Sequence, residues 1–369
     1  MILNGRHRLP ACGVREETFS RYPEKLTMPD FSDRYAEAGV HLDVLDALKT
    51  NIVGLTRKTR RPEVLSREGA FGGLFAVGSL GIPDPVLVSS MDGVGTKIKI
   101  ACLSGNHSGI GADIANHSIN DILTCGAQPL FFMDYLASGR VDPRVIAEVI
   151  GSLADACVES GMALLGGETA EMPDMYAEGE YDLAGCIVGV VSRNNIIDGQ
   201  SIRPGDRILG LTSNGLHTNG YSLVRRIFLS ELQWSLDRYV EEFQSTLAEE
   251  LLRPHRSYLA EITRLLRNNL VQGLAHITGG GFYGNLPRIL PDGCGARIDA
   301  RAWEPLPIFR TVQNLGHVRP EEMYRVFNMG MGFLVVVHPG DSESAIEEIP
   351  ELLPIGEVIA GKEVVIEGM

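Results

Sequence analysis

Val86-Leu87-Val88-Ser89-Ser90-Met91 runs straight into Asp92-Gly93-Val94-Gly95-Thr96-Lys97, and the fold class turns on how this junction is read. A short apolar run bounded by a glycine-rich turn marks a strand. The turn carries two glycines that let backbone approach a ligand, a lysine able to pair with phosphate and a carboxylate able to hold Mg²⁺. The GxxxxGK[ST] spacing is absent, as is the third glycine of a dinucleotide fingerprint. A tight strand-to-helix turn with solvated ends is the other reading of the same residues.

Working outward, Ala112 to Cys125 predicts a helix closed by Gly126 and Pro129, and Leu130 to Ala137 predicts a buried strand. Asp142 as N-cap, Pro143 at the first helical position and the stripe Ile146, Val149, Ile150 and Leu153 predict a second helix, which Gly161 stops. Ala163 to Leu165 predicts a strand leading into Gly166-Gly167-Glu168. Beyond a turn-rich segment at 194–206 the theme repeats. Arg207 to Thr212 reads as a strand, Ser213 to Asn219 as a polar loop, and the stretches around Tyr221 to Leu229 and His255 to Leu266 as helices. The run Gly279-Gly280-Gly281 follows, then strands at Gly332 to Val337 and Lys362 to Ile366. The pattern is that of a mixed α/β protein with two domains, 33–200 and 201–369. Residues 1–32, with scattered prolines and charges and no periodicity, read as a mobile N-terminal extension.

A chain of 369 residues, 44% hydrophobic and 22% charged, can bury its own core. Forty-two glycines exceed the ~7% norm and fit many close backbone approaches. The formal charge of −14 disfavours nucleic acid and anionic membranes as partners, while local glycine loops can still take an anionic small molecule. Cys12, Cys102, Cys125, Cys157, Cys186 and Cys294 show no CxxC pair and read as buried thiols of a reducing compartment. No apolar run approaches the ~20 residues of a membrane span, and Arg6, His7 and Arg8 stand where a signal peptide needs apolar residues. These features predict a cytoplasmic protein.

Several residues can carry chemistry. Asp113, His117 and Asp121 fall at i, i+4 and i+8 on one helix, with Asn116 and Asn120 beside them. Such a stripe is ordinarily a solvated face. Its passage into the apolar run at Leu130 places it near strand ends, which makes Asp121 a candidate metal ligand, while His117 reads as a packing or hydrogen-bonding histidine. Gly166-Gly167-Glu168-Thr169-Ala170-Glu171 offers carboxylates at a strand end, suited to Mg²⁺ on nucleotide phosphates, or else a capping box. In Ser213-Asn214-Gly215-Leu216-His217-Thr218-Asn219-Gly220, His217 can protonate or hydrogen-bond a reacting oxygen, or merely tie down its loop. Thr278 with Gly279 to Gly281 opens a further helix, a geometry fit for phosphate or for close packing. No nucleophile elbow is present, so covalent catalysis is not indicated.

Taken in order, YAEAGV from Tyr35, KTRRPE from Lys58, DGVGTK from Asp92, Asp121 with Gly126-Ala127 and Pro129, GGETAEMP from Gly166, SNGLHTNGYSLVR from Ser213, ITGGGFYGNLPRILP from Ile277 and EMYRVFNMGMG from Glu322 resemble the phosphoribosylformylglycinamidine cyclo-ligase (aminoimidazole ribonucleotide synthetase) family. The resemblance implies a two-domain ATP-binding fold, α/β then α+β, dimeric through the strands of its first domain. It implies ATP-dependent ring closure of formylglycinamidine ribonucleotide to 5-aminoimidazole ribonucleotide in purine synthesis, with ATP and Mg²⁺ required.

Carried over by motif, Asp92, Asp121 and Glu168 look like the metal and triphosphate shell, and Lys97 like a phosphate partner. Gly93, Gly95, Thr96, Gly166 and Gly167 join them at the nucleotide, and Gly72 and Gly73 look like part of a mobile loop closing over it. His217 and Asn219 would face the phosphorylated ribonucleotide substrate, and Thr278, Gly279 and Gly280 would bind phosphate; His217, Lys97 and Asp121 form the implied catalytic set. Another kinase or synthetase of the same ATP-binding superfamily is the alternative enzyme, and a catalytically idle nucleotide-binding regulator the alternative of another class.

Overall fold

The computed structural model of the protein describes residues 42–140 and 142–369, with side chains described from residue 47. The extension expected at 1–32 and the motif at Tyr35 lie outside these residues.

Helix α1 (Leu42–Arg57) precedes a four-stranded sheet built from β1 (Pro85–Gly93), β2 (Gln128–Ser138), β3 (Ala163–Glu171) and β4 (Tyr181–Ser192) in the order β1-β4-β2-β3. The β1/β4 and β4/β2 pairs are antiparallel, and β2/β3 is parallel. A parallel neighbour needs a crossover, which here is α4 (Pro143–Glu159), following α2 (Lys97–Ser104) and α3 (Ile110–Leu123) in the chain. The cap expected for α4 is present: the Asp142 side chain accepts a hydrogen bond from the Arg144 amide, and Pro143 occupies the first turn. Ile114, Ile122, Phe132, Leu136, Val149, Ile150, Leu153, Leu183 and Ile187 fill the layer between α3, α4 and the sheet. On the opposite face Leu87, Met91, Met133 and Tyr135 stand exposed.

The second half contains a six-stranded sheet of β5 (Arg207–Thr212), β6 (Gly273–His276), β7 (Cys294–Asp299), β8 (Met331–Val337), β9 (Leu353–Ala360) and β10 (Val364–Glu367), ordered β10-β7-β9-β5-β8-β6. Every residue of β8 is buried, so its apolar run lacks the alternation of a one-sided strand. No described helix is long and apolar enough to cross a membrane. The five described cysteines are free thiols, of which Cys157 and Cys294 are buried; Cys102, Cys125 and Cys186 are partly exposed, unlike the uniformly buried set expected.

Three sequence readings change. The strand expected at 163–165 extends through both glycines and Glu168 to Glu171, because pairing with β2 continues past a bulge at Leu165. Thr169 and Glu171 therefore lie in a strand and form no capping box. The helix expected from His255 begins only at Leu259: the amides of His255 and Tyr258 are taken by the side chains of Asp113 and Asn120, which hold 255–258 as a docking segment.

Helices α3 and α4 touch at Gly111, where an added Cβ would sit 2.0 Å from the Val149 carbonyl oxygen and 2.4 Å from the Leu153 amide. Gly111→Ala is expected to lower stability by about 1–3 kcal/mol or more by forcing the backbones apart. The midpoint of urea unfolding measures this, and an unchanged midpoint would show that the helices separate freely.

Candidate functional site at the junction of the two halves

The polar stripe on α3 is not solvated. Asp113, His117 and Asn120 are buried, and the stripe is where the second half docks. Asn116 and Asn120 donate to the carbonyls of His255 and Arg256, and the Thr96 and Ser222 hydroxyls meet at 3.1 Å across the same seam. Helical spacing supplied one polar face, and the loops of the second half supplied its partners.

At the open end of this seam two carboxylates converge. His117 Nε2 lies 2.9 Å from Asp92 Oδ2 and 3.7 Å from Asp121 Oδ2. Asp121 also accepts hydrogen bonds from Ser90 Oγ at 3.0 Å and from His276 Nδ1 at 2.9 Å. The His117 hydrogen bond holds Asp92 below the usual carboxylate range. Burial pushes Asp121 up, but the His276 hydrogen bond and the nearby imidazoles outweigh it and leave its carboxyl low. Both are thus ionised at neutral pH. Burial alone would lower His117; the Asp92 hydrogen bond and the Asp121 charge raise it above the ordinary histidine value. His276 is driven down to about 4, because burial outweighs its bond to Asp121.

Lys97 does not face the seam's open end. Its ammonium is wholly buried, donates to Asp113 Oδ1 at 2.8 Å and to the Arg253 carbonyl at 2.6 Å, and so is committed to holding the halves together rather than to a phosphate. His217 is also buried, not set in an open polar cradle. It stacks on His255 with ring centroids 3.9 Å apart, and neither ring nitrogen has a hydrogen-bond partner. Burial pushes its pKa well below the ordinary value, which favours the neutral imidazole. Its φ of +61° is strained for a side-chain-bearing residue.

Glu168 is separated from Asp92 and Asp121. The sheet register aligns Gly93, Ala184, Tyr135 and Glu168 across four strands, three spacings or roughly 14 Å. One ion cannot bind all three acids within this chain. Glu168 instead lines a cavity of about 650 Å³ with Gly72, Gly73, Gly166, Gly167 and Asp134. Asp134 is pushed up to about 7 by burial and by the Glu168 charge. Elsewhere Asn219 and the exposed Gly279 and Gly280 lie together, an added Cβ on Gly279 meeting Asn219 Oδ1 at 3.2 Å. Asn285 ties that loop by donating to the carbonyls of Thr278, Gly279 and Gly281. The helix that Thr278 was expected to open is only five residues long, Gly281–Asn285.

Sequence reasoning missed His255 and His276, which join His117 and His217 in one cluster. The four stand at separations no local motif contains, and only the docking of two halves brings them together.

Two outcomes follow. Lys97→Met should cost about 3–5 kcal/mol in denaturant unfolding, because Asp113 would keep a buried, unpaired charge; a variant of native stability would free Lys97 for the phosphate role. Asp134 has a folded pKa above its unfolded ~3.9, so the stability it confers is full below pH ~4 and is lost as pH rises toward 7. Asp134→Asn should accordingly raise the melting temperature at pH 8, and the gain should vanish near pH 4 in a pH series.

Comparison with known proteins agrees with this architecture. Residues 77–191 match the N-terminal domain and residues 203–368 the C-terminal domain of the family described as AIR synthase related protein. The chain is 47% identical over 332 residues to the phosphoribosylformylglycinamidine cyclo-ligase of Myxococcus xanthus, covering 89% of this chain and 96% of the relative. It is also 47% identical over 331 residues to that of Geobacillus thermodenitrificans, covering 89% and 96%. Among solved structures, the hydrogenase maturation protein HypE of E. coli superposes with a TM-score of 0.65 at 18% identity, covering 88% of this chain and 94% of HypE. Thiamine-monophosphate kinase from Stenotrophomonas maltophilia gives 0.61 at 17%, covering 88% and 96%; these two likenesses concern the fold. With relatives this similar along nearly their whole length, the chain belongs to the phosphoribosylformylglycinamidine cyclo-ligase family.

Proposed function

We propose that the chain uses ATP to close the imidazole ring, converting formylglycinamidine ribonucleotide to 5-aminoimidazole ribonucleotide with release of ADP and phosphate in purine biosynthesis. The observation that carries this reading is the convergence of ionised Asp92 and Asp121 beside the Asp92-Gly93 turn at the seam, in a chain 47% identical to relatives bearing that activity's name. An amide oxygen is a poor leaving group. Transfer of the ATP γ-phosphoryl group to the formyl oxygen makes it a good one; an amidine nitrogen then attacks that carbon, the C–N bond forms, the C–O bond breaks and phosphate departs. Positioning and charge stabilisation suffice for such steps, and no protein nucleophile is required.

Mg²⁺ fits the two carboxylates, which are oxygen donors, ionised and only partly covered. Asp92 and Asp121 would hold it, and it would neutralise phosphate charge. The cavity beside Gly72, Gly73, Gly166, Gly167 and Glu168 has the size of a small-molecule site and would receive the nucleotide. Asn219 and the exposed Gly279 and Gly280 offer hydrogen-bond donors to the substrate's phosphate. The chain works as two domains, 33–200 and 201–369, and as a cytoplasmic homodimer: the exposed apolar face of Leu87, Met91, Met133 and Tyr135 is the surface a second copy would cover.

Incubation with formylglycinamidine ribonucleotide and Mg·ATP should yield 5-aminoimidazole ribonucleotide and ADP in equal amounts; ADP formed on a different acceptor would instead assign a kinase of the same fold. Asp121→Asn should reduce turnover by roughly 10²-fold or more, the scale of losing one electrostatic stabiliser, with its melting temperature little changed because Asn can keep the Ser90 bond. Native turnover at low Mg²⁺ would remove Asp121 from the metal shell.

A further inference from the structure

Four imidazoles meet under helix α3. His117 comes from the first half, and His217, His255 and His276 come from a loop, the docking segment and strand β6 of the second. Ring centroids of neighbouring pairs lie 3.9 to 5.3 Å apart. One donor nitrogen each from His217, His255 and His276 lies within 4.8 Å of the other two, and all three residues are buried.

His276 spends Nδ1–H on Asp121 Oδ1 at 2.9 Å, which leaves the lone pair on Nε2. That Nε2 accepts a hydrogen bond from Nε2 of His255 at 3.1 Å, a contact that a bound ion would replace. Two nitrogens bound to one tetrahedral zinc stand about 3.3 Å apart, given Zn–N bonds of ~2.0–2.1 Å. A carboxylate holding the far nitrogen of a ligating imidazole is the usual outer partner of a metal-bound histidine. His255 has its own outer contact, Nδ1 to Thr218 Oγ1 at 3.4 Å. His217 supplies the independent sign: both of its nitrogens are buried without a partner, and its backbone is held at φ +61°. A buried polar group left unpaired calls for an occupant. Gly332 makes room for that ring, since an added Cβ there would lie 2.6 Å from His217 Cε1.

We propose that His217, His255 and His276 form a binding site for one imidazole-preferring divalent transition-metal ion of the Zn²⁺ class, with the fourth position left to water. A set of three neutral nitrogens suits zinc or cobalt and is wrong for Mg²⁺, which prefers oxygen. The site is thus chemically distinct from the Asp92 and Asp121 pair, although Asp121 braces His276 from outside. An ion there would pin the 213–219 loop, the docking segment and β6 to one another. The proposal does not depend on which reaction the chain catalyses.

The test uses untagged full-length protein stripped with a chelator, desalted and titrated with Zn²⁺ alone and with Co²⁺ alone. The expected result is one equivalent bound per chain, a Co²⁺ absorption spectrum of imidazole ligation, a higher melting temperature and no displacement by excess Mg²⁺. His255→Asn and His217→Ala should each weaken binding by more than the ~10–100-fold that loss of an outer partner costs, whereas Asp92→Asn should leave it within a few-fold. Absence of stoichiometric uptake by the folded wild-type protein overturns the proposal. So does unchanged affinity in His255→Asn, and so does binding that Mg²⁺ displaces and Asp92→Asn abolishes, which would assign the ion to the carboxylates.

Discussion

A buried ammonium and a buried carboxylate 2.8 Å apart fix how the two halves meet. Neither Lys97 nor Asp113 has access to water, so each is tolerable only while the other is present. Further contacts come from the second half: Lys97 donates to the Arg253 carbonyl, and Asp113 Oδ1 also accepts from the His255 amide, while Asp113 Oδ2 has no hydrogen-bond partner. Burial pushes the lysine down and the carboxyl up, and their mutual attraction opposes both shifts. These contacts tie Lys97 and Asp113 Oδ1 to one arrangement of the docking segment. The seam that holds Asp92, Asp121 and the histidines inherits its geometry from that requirement.

The docking surface also explains which sequence signals were legible. Elements defined by local chemistry could be read directly: the Asp142 cap with Pro143, the stripe of α4, the run that became β1 and the turn-rich stretch between the sheets. Polar residues on α3 could not be read the same way. Spacing shows that Asp113, Asn116, His117, Asn120 and Asp121 share a face, but a shared face is equally a surface or an interface until its partner is known. Lys97 illustrates the cost of this ambiguity. In the sequence it completes a phosphate-like turn, whereas in space its long side chain turns inward to Asp113.

The Gly166-Gly167-Glu168 stretch was misplaced for a different reason. Two adjacent glycines normally end a strand, since each weakens it by entropy. Here the parallel pairing with β2 continues beyond Leu165, and Gly167 lets the neighbouring Asp134 side chain approach where a Cβ would lie 2.3 Å from its Oδ1. Sheet register, which no local pattern encodes, then sets Glu168 apart from Asp92. Sequence singled out Asp92, Asp121 and Glu168 as acidic candidates, but not which of them share a neighbourhood.

Charge is partitioned at the seam in a way that only burial can produce. Asp92 and Asp121 stay ionised because hydrogen bonds and imidazoles face them, while His217, His255 and His276 are kept neutral because water is excluded around them. His117 stands between these environments, bonded to Asp92 on one side and to Thr218 at 2.9 Å on the other, and its pKa is the one among the four that rises. A cluster of four protonated histidines would repel itself; three lone-pair donors beside one imidazole whose charged form the Asp92 and Asp121 carboxylates favour do not. The same enclosure therefore yields an oxygen-rich, anionic edge and a nitrogen-rich interior, with Asp121 belonging to the edge through one oxygen and bracing the interior through the other.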